Sequence, residues 1–207
     1  NGGKCYSGTG SCDTQGYAQA INRLGLCGRT DWRVPTSREL SQLVHYGKTL
    51  PAIDTEYFPH TTKTSSWAAE TYAGDLSMAW TVVMSGGYTE VTVKGNSFAR
   101  LQLVAGIKQT GSSNGYCSNP RIPATTPTST FHDNQDGTVT HSATSLMWSR
   151  CALGLEWGGG GCTGTSEYHN WESALDEVAT RNSTGYLGHN DWRLPNIKEL
   201  NSITEHC

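Results

Sequence analysis

The sequence predicts an α+β fold assembled from one folding unit used twice, and three observations predict it. Residues 31–40 read Asp-Trp-Arg-Val-Pro-Thr-Ser-Arg-Glu-Leu, and residues 191–200 read Asp-Trp-Arg-Leu-Pro-Asn-Ile-Lys-Glu-Leu. Upstream of each motif, apolar residues recur at helical spacing: Tyr17, Ala20, Ile21 and Leu24 in the first copy, Trp171, Ala174, Leu175 and Val178 in the second. Downstream of the first copy the apolar period falls to two, the mark of strands. The repeat is lopsided. The first copy runs on well past its motif, whereas the second has few residues after it.

Each element follows from local chemistry. Residues 14–24 and 170–181 read as amphipathic helices with one stripe facing a core, and Asn170 is placed to cap the second. Pro35 and Pro195 disfavour helix in the residue before them, so Asp-Trp-Arg-x-Pro is an extended approach. Thr36 to Glu39 and Asn196 to Glu199 have capping-box spacing, which starts a second helix in each copy. Trp32 and Trp192 are expected to plug a core. Asp31, Arg33, Asp191 and Arg193 are expected to fix the approach by hydrogen bonds or ion pairs rather than to catalyse anything.

Met78, Trp80, Val82 and Met84 alternate with polar or smaller residues, Ser85-Gly86-Gly87-Tyr88 makes a turn, and Val91 and Val93 resume the alternation. Ala99, Leu101 and Leu103 read as a further strand, giving an antiparallel meander of about three. Residues 106–130 are polar, broken by Pro120, Pro123 and Pro127, and read as a linker. Residues 131–148 read as a hairpin turning at Asp136-Gly137. The run Asp133-Asn134-Gln135-Asp136-Gly137 lacks the spacing and the final Glu of a calcium loop, so a turn is the better reading. The organisation is therefore a first copy at 1–105, a linker at 106–130 and a second copy at 131–207.

The 207 residues carry a net charge of -3, which argues against a nucleic-acid partner. Residues 1–110 hold ten Lys and Arg against eight Asp and Glu, and residues 111–207 hold five against ten. Two lobes of opposite sign can attract, within a chain or between chains. There is no apolar run long enough for a membrane span, and a start at Asn1 is expected of a processed or trimmed chain. The seven cysteines include no C-x-x-C pair, so zinc and thioredoxin-like redox sites are unsupported and disulfides in an oxidising compartment are expected. Cys5 with Cys12, and Cys151 with Cys162, occupy corresponding places before the first helix of each copy, and each pair is expected to close a local loop. Cys27, Cys117 and Cys207 cannot all pair within one chain.

The ordered set Asp136-Gly137-Thr138-Val139, Leu146-Met147-Trp148, the helix from Trp171 and Asp191-Trp192-Arg193-Leu194-Pro195…Glu199-Leu200 resembles the DUF1566 family, the C-terminal domain of the Legionella collagen-like protein. The first copy adds the family's later part: Ser65-Ser66-Trp67, the strand from Met78 to Met84, and a closing strand from Arg100 to Val104. The resemblance implies a C-type-lectin-like α+β fold, two helices on a small twisted antiparallel sheet, present here as two partial copies. The first lacks the opening hairpin and the second lacks the closing sheet. It further implies a secreted or surface-displayed bacterial protein for adhesion or ligand recognition, in a family whose best-known member takes sulfated glycans. The acidic balance of this chain argues against a polyanionic ligand.

A search for catalysis finds no H-E-x-x-H, G-x-S-x-G, phosphate-binding loop or dinucleotide fingerprint, no metal constellation and no cofactor motif. The first copy has no cysteine between Cys27 and Cys117, against the cysteine pair of formylglycine-generating relatives. Glu172, Asp176 and Glu177 read as a solvated acidic face, and Asn182-Ser183-Thr184 as a polar turn. Ligand recognition is instead expected of Trp67, Tyr72, Trp80 and Tyr88, with Lys63 and Arg100 adding polar contacts. The competing reading places Trp67 and Trp80 in the core. A second functional reading is a subunit of an extracellular filament, in which head-to-tail contacts complete each sheet between molecules.

Overall fold

A computed structural model describes residues 13–95, 97–106 and 124–206. It is a mixed helix-and-sheet protein with four α-helices and several small antiparallel sheets. The chain divides into two compact units, one of residues 1–125 with 205–207 and the other of residues 126–204.

In the first unit, helix α1 (Thr14–Leu24) opens on Asp13, whose side chain accepts from the Gly16 N–H at 2.6 Å. It stops at Gly25, which takes the left-handed conformation (φ 61°) that a side chain would resist. A short 3-10 turn, Leu26–Gly28, leads to strand β1 (Trp32–Arg33). Helix α2 (Ser37–Leu43) then starts with the expected capping box: Thr36 accepts from the Glu39 N–H while Glu39 accepts from the Thr36 N–H. A cap of this kind contributes about 1 kcal/mol.

Strands β2 (Ser65–Thr71), β3 (Met78–Val83) and β4 (Tyr88–Val93) form an antiparallel meander with a register shift between Trp67 and Thr71. One face of the meander packs on α2: Leu40, Val44, Ala52, Ala68, Val82 and Met84 form the core, with Trp80 against it. The strand expected over Ala99, Leu101 and Leu103 is not formed. Residues 97–103 touch the outer edge of β2 once, where Arg100 bridges Ser66 in parallel, and the chain then leaves the meander. Only Val104–Ala105 (β5) pairs again, antiparallel to β1 rather than to the meander. Alternation alone did not make a strand of residues 99–103, because a strand needs a partner and the chain finds one only at β1.

In the second unit, β6 (Phe131–Asp133), β7 (Thr138–His141) and β8 (Leu146–Ser149) make a three-stranded antiparallel sheet, with the turn at Asp136-Gly137 as read from the sequence. A hairpin of β9 (Leu155–Trp157) and β10 (Cys162–Gly164) follows, its turn end tied by the Cys151–Cys162 disulfide to the segment before β9. Helix α3 (Trp171–Thr184) is capped by Asn170, as expected, through the Ser173 N–H, but runs three residues further than the sequence suggested. Its stripe does not reach a core: no residue of α3 is buried, and Trp171 is 74% exposed. Helix α4 (Ile197–Ile203) starts on a capping box of Asn196 and Glu199. No strand forms at 192–193.

Candidate functional site

The repeated motif builds the same hydrogen-bonded clamp in each unit. Asn22 Nδ2 donates to the Trp32 carbonyl at 2.8 Å, and the Trp32 N–H donates back to Asn22 Oδ1 at 2.7 Å. Asn182 and Trp192 make the same pair at 2.8 and 2.8 Å. Each indole N–H then donates to a carbonyl just past the helix cap: Trp32 to Leu26 at 2.9 Å and Trp192 to Tyr186 at 2.8 Å. Each indole is half-buried, so the tryptophans are not core plugs. They lock the end of one helix to the approach of the next, with each indole N–H satisfied by a backbone carbonyl. Cys27 (φ 56°) and Leu187 (φ 52°) occupy the same left-handed position in the two turns.

These bonds set which residues correspond. Asn22 answers to Asn182 and Gly25 to Gly185, so the upstream matching of Tyr17 with Trp171 is six residues out of step. Apolar periodicity along a helix does not fix its phase. The cap and the asparagine do.

Arg33 and Arg193 form bidentate ion pairs with Glu39 and Glu199, each with N–O distances of 2.6 and 2.7 Å. Hydrogen bonding to Arg193 and to the Asn196 N–H lowers the Glu199 carboxyl to about 2. For Glu39, burial pushes the carboxyl up, but Arg33 and the Thr36 N–H outweigh it and the value is lowered. Asp31 pairs with Arg29 at 2.7 Å and accepts from the Gly106 N–H at 2.9 Å, which holds the end of β5 beside the motif. Pro35 is buried, and its carbonyl accepts from the Ala69 N–H of β2 at 2.8 Å. Pro195 is half-buried and Asp191 exposed. All of this is architecture. Within each motif, Arg33 with Glu39 and Arg193 with Glu199 satisfy each other.

The six residues expected to recognise a ligand do not form one patch. Trp80 lies on the core face of the meander, with Tyr72 edge-on to it at 5.8 Å. Trp67 pairs with Thr81, and Tyr88 with Val83, so both lie on the opposite face. Tyr88 is 55% exposed. Glu90 shares that face and accepts from Ser65 Oγ at 3.0 Å. Lys63 is exposed, and Arg100 Nε donates to Thr62 Oγ1 at 2.6 Å.

Two features had no signal in the sequence. In the first unit, His206 is buried with its ring 5.2 Å from that of Trp80, and its backbone N–H donates to Thr125 Oγ1 at 2.9 Å. The Thr125 N–H in turn donates to Glu205 at 2.7 Å. Burial, reinforced by the Arg38 charge and opposed by Glu205, lowers the His206 imidazole from its ordinary value. In the second unit, a cavity of about 590 Å³ opens between the Asp136-Gly137 turn, the β9–β10 hairpin and the end of α3. Trp157 and Tyr186 are its aromatic walls.

Of the cysteines, Cys151 and Cys162 are bonded, as expected, and Cys27 is an exposed free thiol. Cys5, Cys12, Cys117 and Cys207 lie outside the described residues. Among the described residues no group of three or more His, Cys, Asp or Glu side chains is arranged to hold a metal ion, and no helix is long and apolar enough to cross a membrane.

A helix–Trp–helix clamp joined to small antiparallel sheets is the class of structure this sequence specifies. The chain belongs to the Lcl C-terminal domain family, the DUF1566 family, whose model matches residues 4–105 and 137–207. No curated protein and no solved structure matches the chain.

Proposed function

We propose that the two units are partial copies of one C-type-lectin-like module, carried by a non-enzymatic protein that bacteria secrete or display for adhesion or ligand recognition. The identity of the two clamps, bond for bond, supports the duplication. The recognition reading is carried by the face of the meander opposite α2, where Trp67 and Tyr88 stand beside Glu90 and outside the core cluster. Aromatic side chains on a rigid sheet supply contact area at little entropic cost. The test is binding to host or bacterial cells and to a glycan array, with Trp67→Ala and Tyr88→Ala beside the unaltered chain. Binding that both substitutions leave unchanged, or no binding at all, counts against the reading.

A second reading, a filament subunit assembled by sheet completion, is favoured by one contrast. Trp32–Arg33 pairs with Val104–Ala105, whereas residues 192–193 have no strand partner among the described residues. Unpaired strand edges are templates for another chain. Electron microscopy of the native material tests it, and a monomeric elution profile at high concentration would speak against it.

A further inference from the structure

We infer that the cavity of the second unit is a binding site for a neutral saccharide of one or two rings. All its lining residues belong to residues 126–204, so the site is complete within that unit. Its volume of about 590 Å³ falls in the range of about 300–1,000 Å³ typical of small-molecule sites. The inference extends the recognition reading above from the meander to a different surface.

The walls are built and fixed. The Cys151–Cys162 bond ties the turn end of the β9–β10 hairpin to the segment before β9. At Gly154 (φ 82°) an added Cβ would lie 2.3 Å from the Thr165 carbonyl oxygen and 2.9 Å from the Glu167 nitrogen, so only glycine fits there. At Gly137 (φ 88°) it would lie 3.0 Å from Leu187, which closes the opposite side. A site held this way loses little freedom on binding.

The chemistry of the lining selects the ligand class. Three carboxylates, Asp136, Glu156 and Glu167, face one guanidinium, Arg181, and that guanidinium is already paired with Glu177 at 2.6 Å and Glu167 at 3.5 Å. An anionic ligand would meet uncompensated like charge. The carboxylates are not grouped to hold a metal ion among the described residues, and each aromatic ring already carries a guanidinium, so the rings offer no further cation–π site. Arg150 Cζ lies 3.6 Å from the Trp157 ring centroid, and Arg181 Cζ lies 5.2 Å from that of Tyr186. The ligand class that uses both the acceptors and the ring surfaces is a neutral, polyhydroxylated one. Its C–H faces can lie on the open parts of the two rings, and its hydroxyls can donate to carboxylates. The side chains of Glu156 and Gln135 line the cavity and have no hydrogen-bond partner among the described residues, so both are available to hydroxyl groups.

The experiment is saturation-transfer NMR on the full chain with glucose, galactose, N-acetylglucosamine, lactose and cellobiose. A sulfated heparin disaccharide and butylammonium serve as the charged counterparts. The expected result is transfer to at least one neutral sugar and to neither charged probe. Its affinity should fall about tenfold or more in Glu156→Gln and in Trp157→Ala, corresponding to about 1.4 kcal/mol or more. Since Trp157→Ala also removes the Arg150 contact, Glu156→Gln and Gln135→Ala keep the test valid if that variant fails to fold. Sugar binding lost in Trp67→Ala or Tyr88→Ala but retained in the cavity variants would overturn the cavity and leave the meander reading standing. No transfer to any neutral sugar, or transfer only to a charged probe, overturns the cavity, while cell binding judges the meander reading separately.

Discussion

Leu40 and Leu200 hold the same position in the two motifs, yet Leu40 is fully buried and Leu200 is 42% exposed. The difference lies in what covers them. The β2–β4 meander lies over α2, whereas the β6–β8 sheet of the second unit makes no comparable contact with α4. Leu40→Ala should therefore destabilise the first unit by about 2–5 kcal/mol through lost burial and a residual cavity. Leu200→Ala should cost less than about 1 kcal/mol. Denaturant unfolding of the two variants checks this, and equal losses would show that Leu200 is covered in solution.

The asparagine of each clamp satisfies both backbone groups of its tryptophan. Asn22→Ala and Asn182→Ala each leave a part-buried N–H and carbonyl without that partner, at a cost of about 1–3 kcal/mol. Asn22→Asp should be nearly as damaging, because a carboxylate can accept from the Trp32 N–H but cannot donate to its carbonyl. Thermal melting of the three variants provides the measurement.

Acid should loosen the second motif late. The Glu199 carboxyl is lowered from its ordinary 4.5 to about 2. A depressed carboxyl contributes stability that is complete above about 4.5 and is lost as pH falls through about 2. Glu199→Gln should flatten the dependence of melting temperature on pH across that window and leave it unchanged near neutrality.

The His206 contact should respond at milder pH. Burial favours the neutral imidazole, so its contribution is complete above the ordinary value of 6.5 and declines as pH falls below it through the lowered folded value. The protection factor of the His206 amide proton, which is bonded to Thr125, should fall on acidification from about pH 7.5 to 5 once the intrinsic slowing of exchange at lower pH is divided out. His206→Phe should remove the acid-dependent part.

Reduction of Cys151–Cys162, which closes a loop of sequence separation 11, should cost the second unit about 3 kcal/mol. The Cys27 thiol is exposed and should react with a maleimide in the native protein without denaturant. Mass spectrometry before and after reduction separates the two.

What could be read from the sequence was what is decided within a few residues. Thr36 with Glu39, Asn196 with Glu199, Asn170, and the Asp136-Gly137 turn are local, and each formed as read. The strand at 99–103 failed because pairing depends on a distant partner, here β1 for β5. The half-buried tryptophans were misread because size suggests burial, while the indole N–H, which needs an acceptor, decides the position. The cavity was missed because Trp157 and Tyr186 are far apart in sequence and meet only through the β9–β10 hairpin and the end of α3.

The clamp from Asn22 to Trp32 spans only ten residues, as does that from Asn182 to Trp192. Loops this short close in about 10–100 ns, well ahead of any long-range strand pairing. Each helix end is thus anchored to its own downstream motif almost as soon as that motif exists. A growing polypeptide carrying both motifs would find the nearer tryptophan first, which guards against pairing one motif's asparagine with the other's tryptophan.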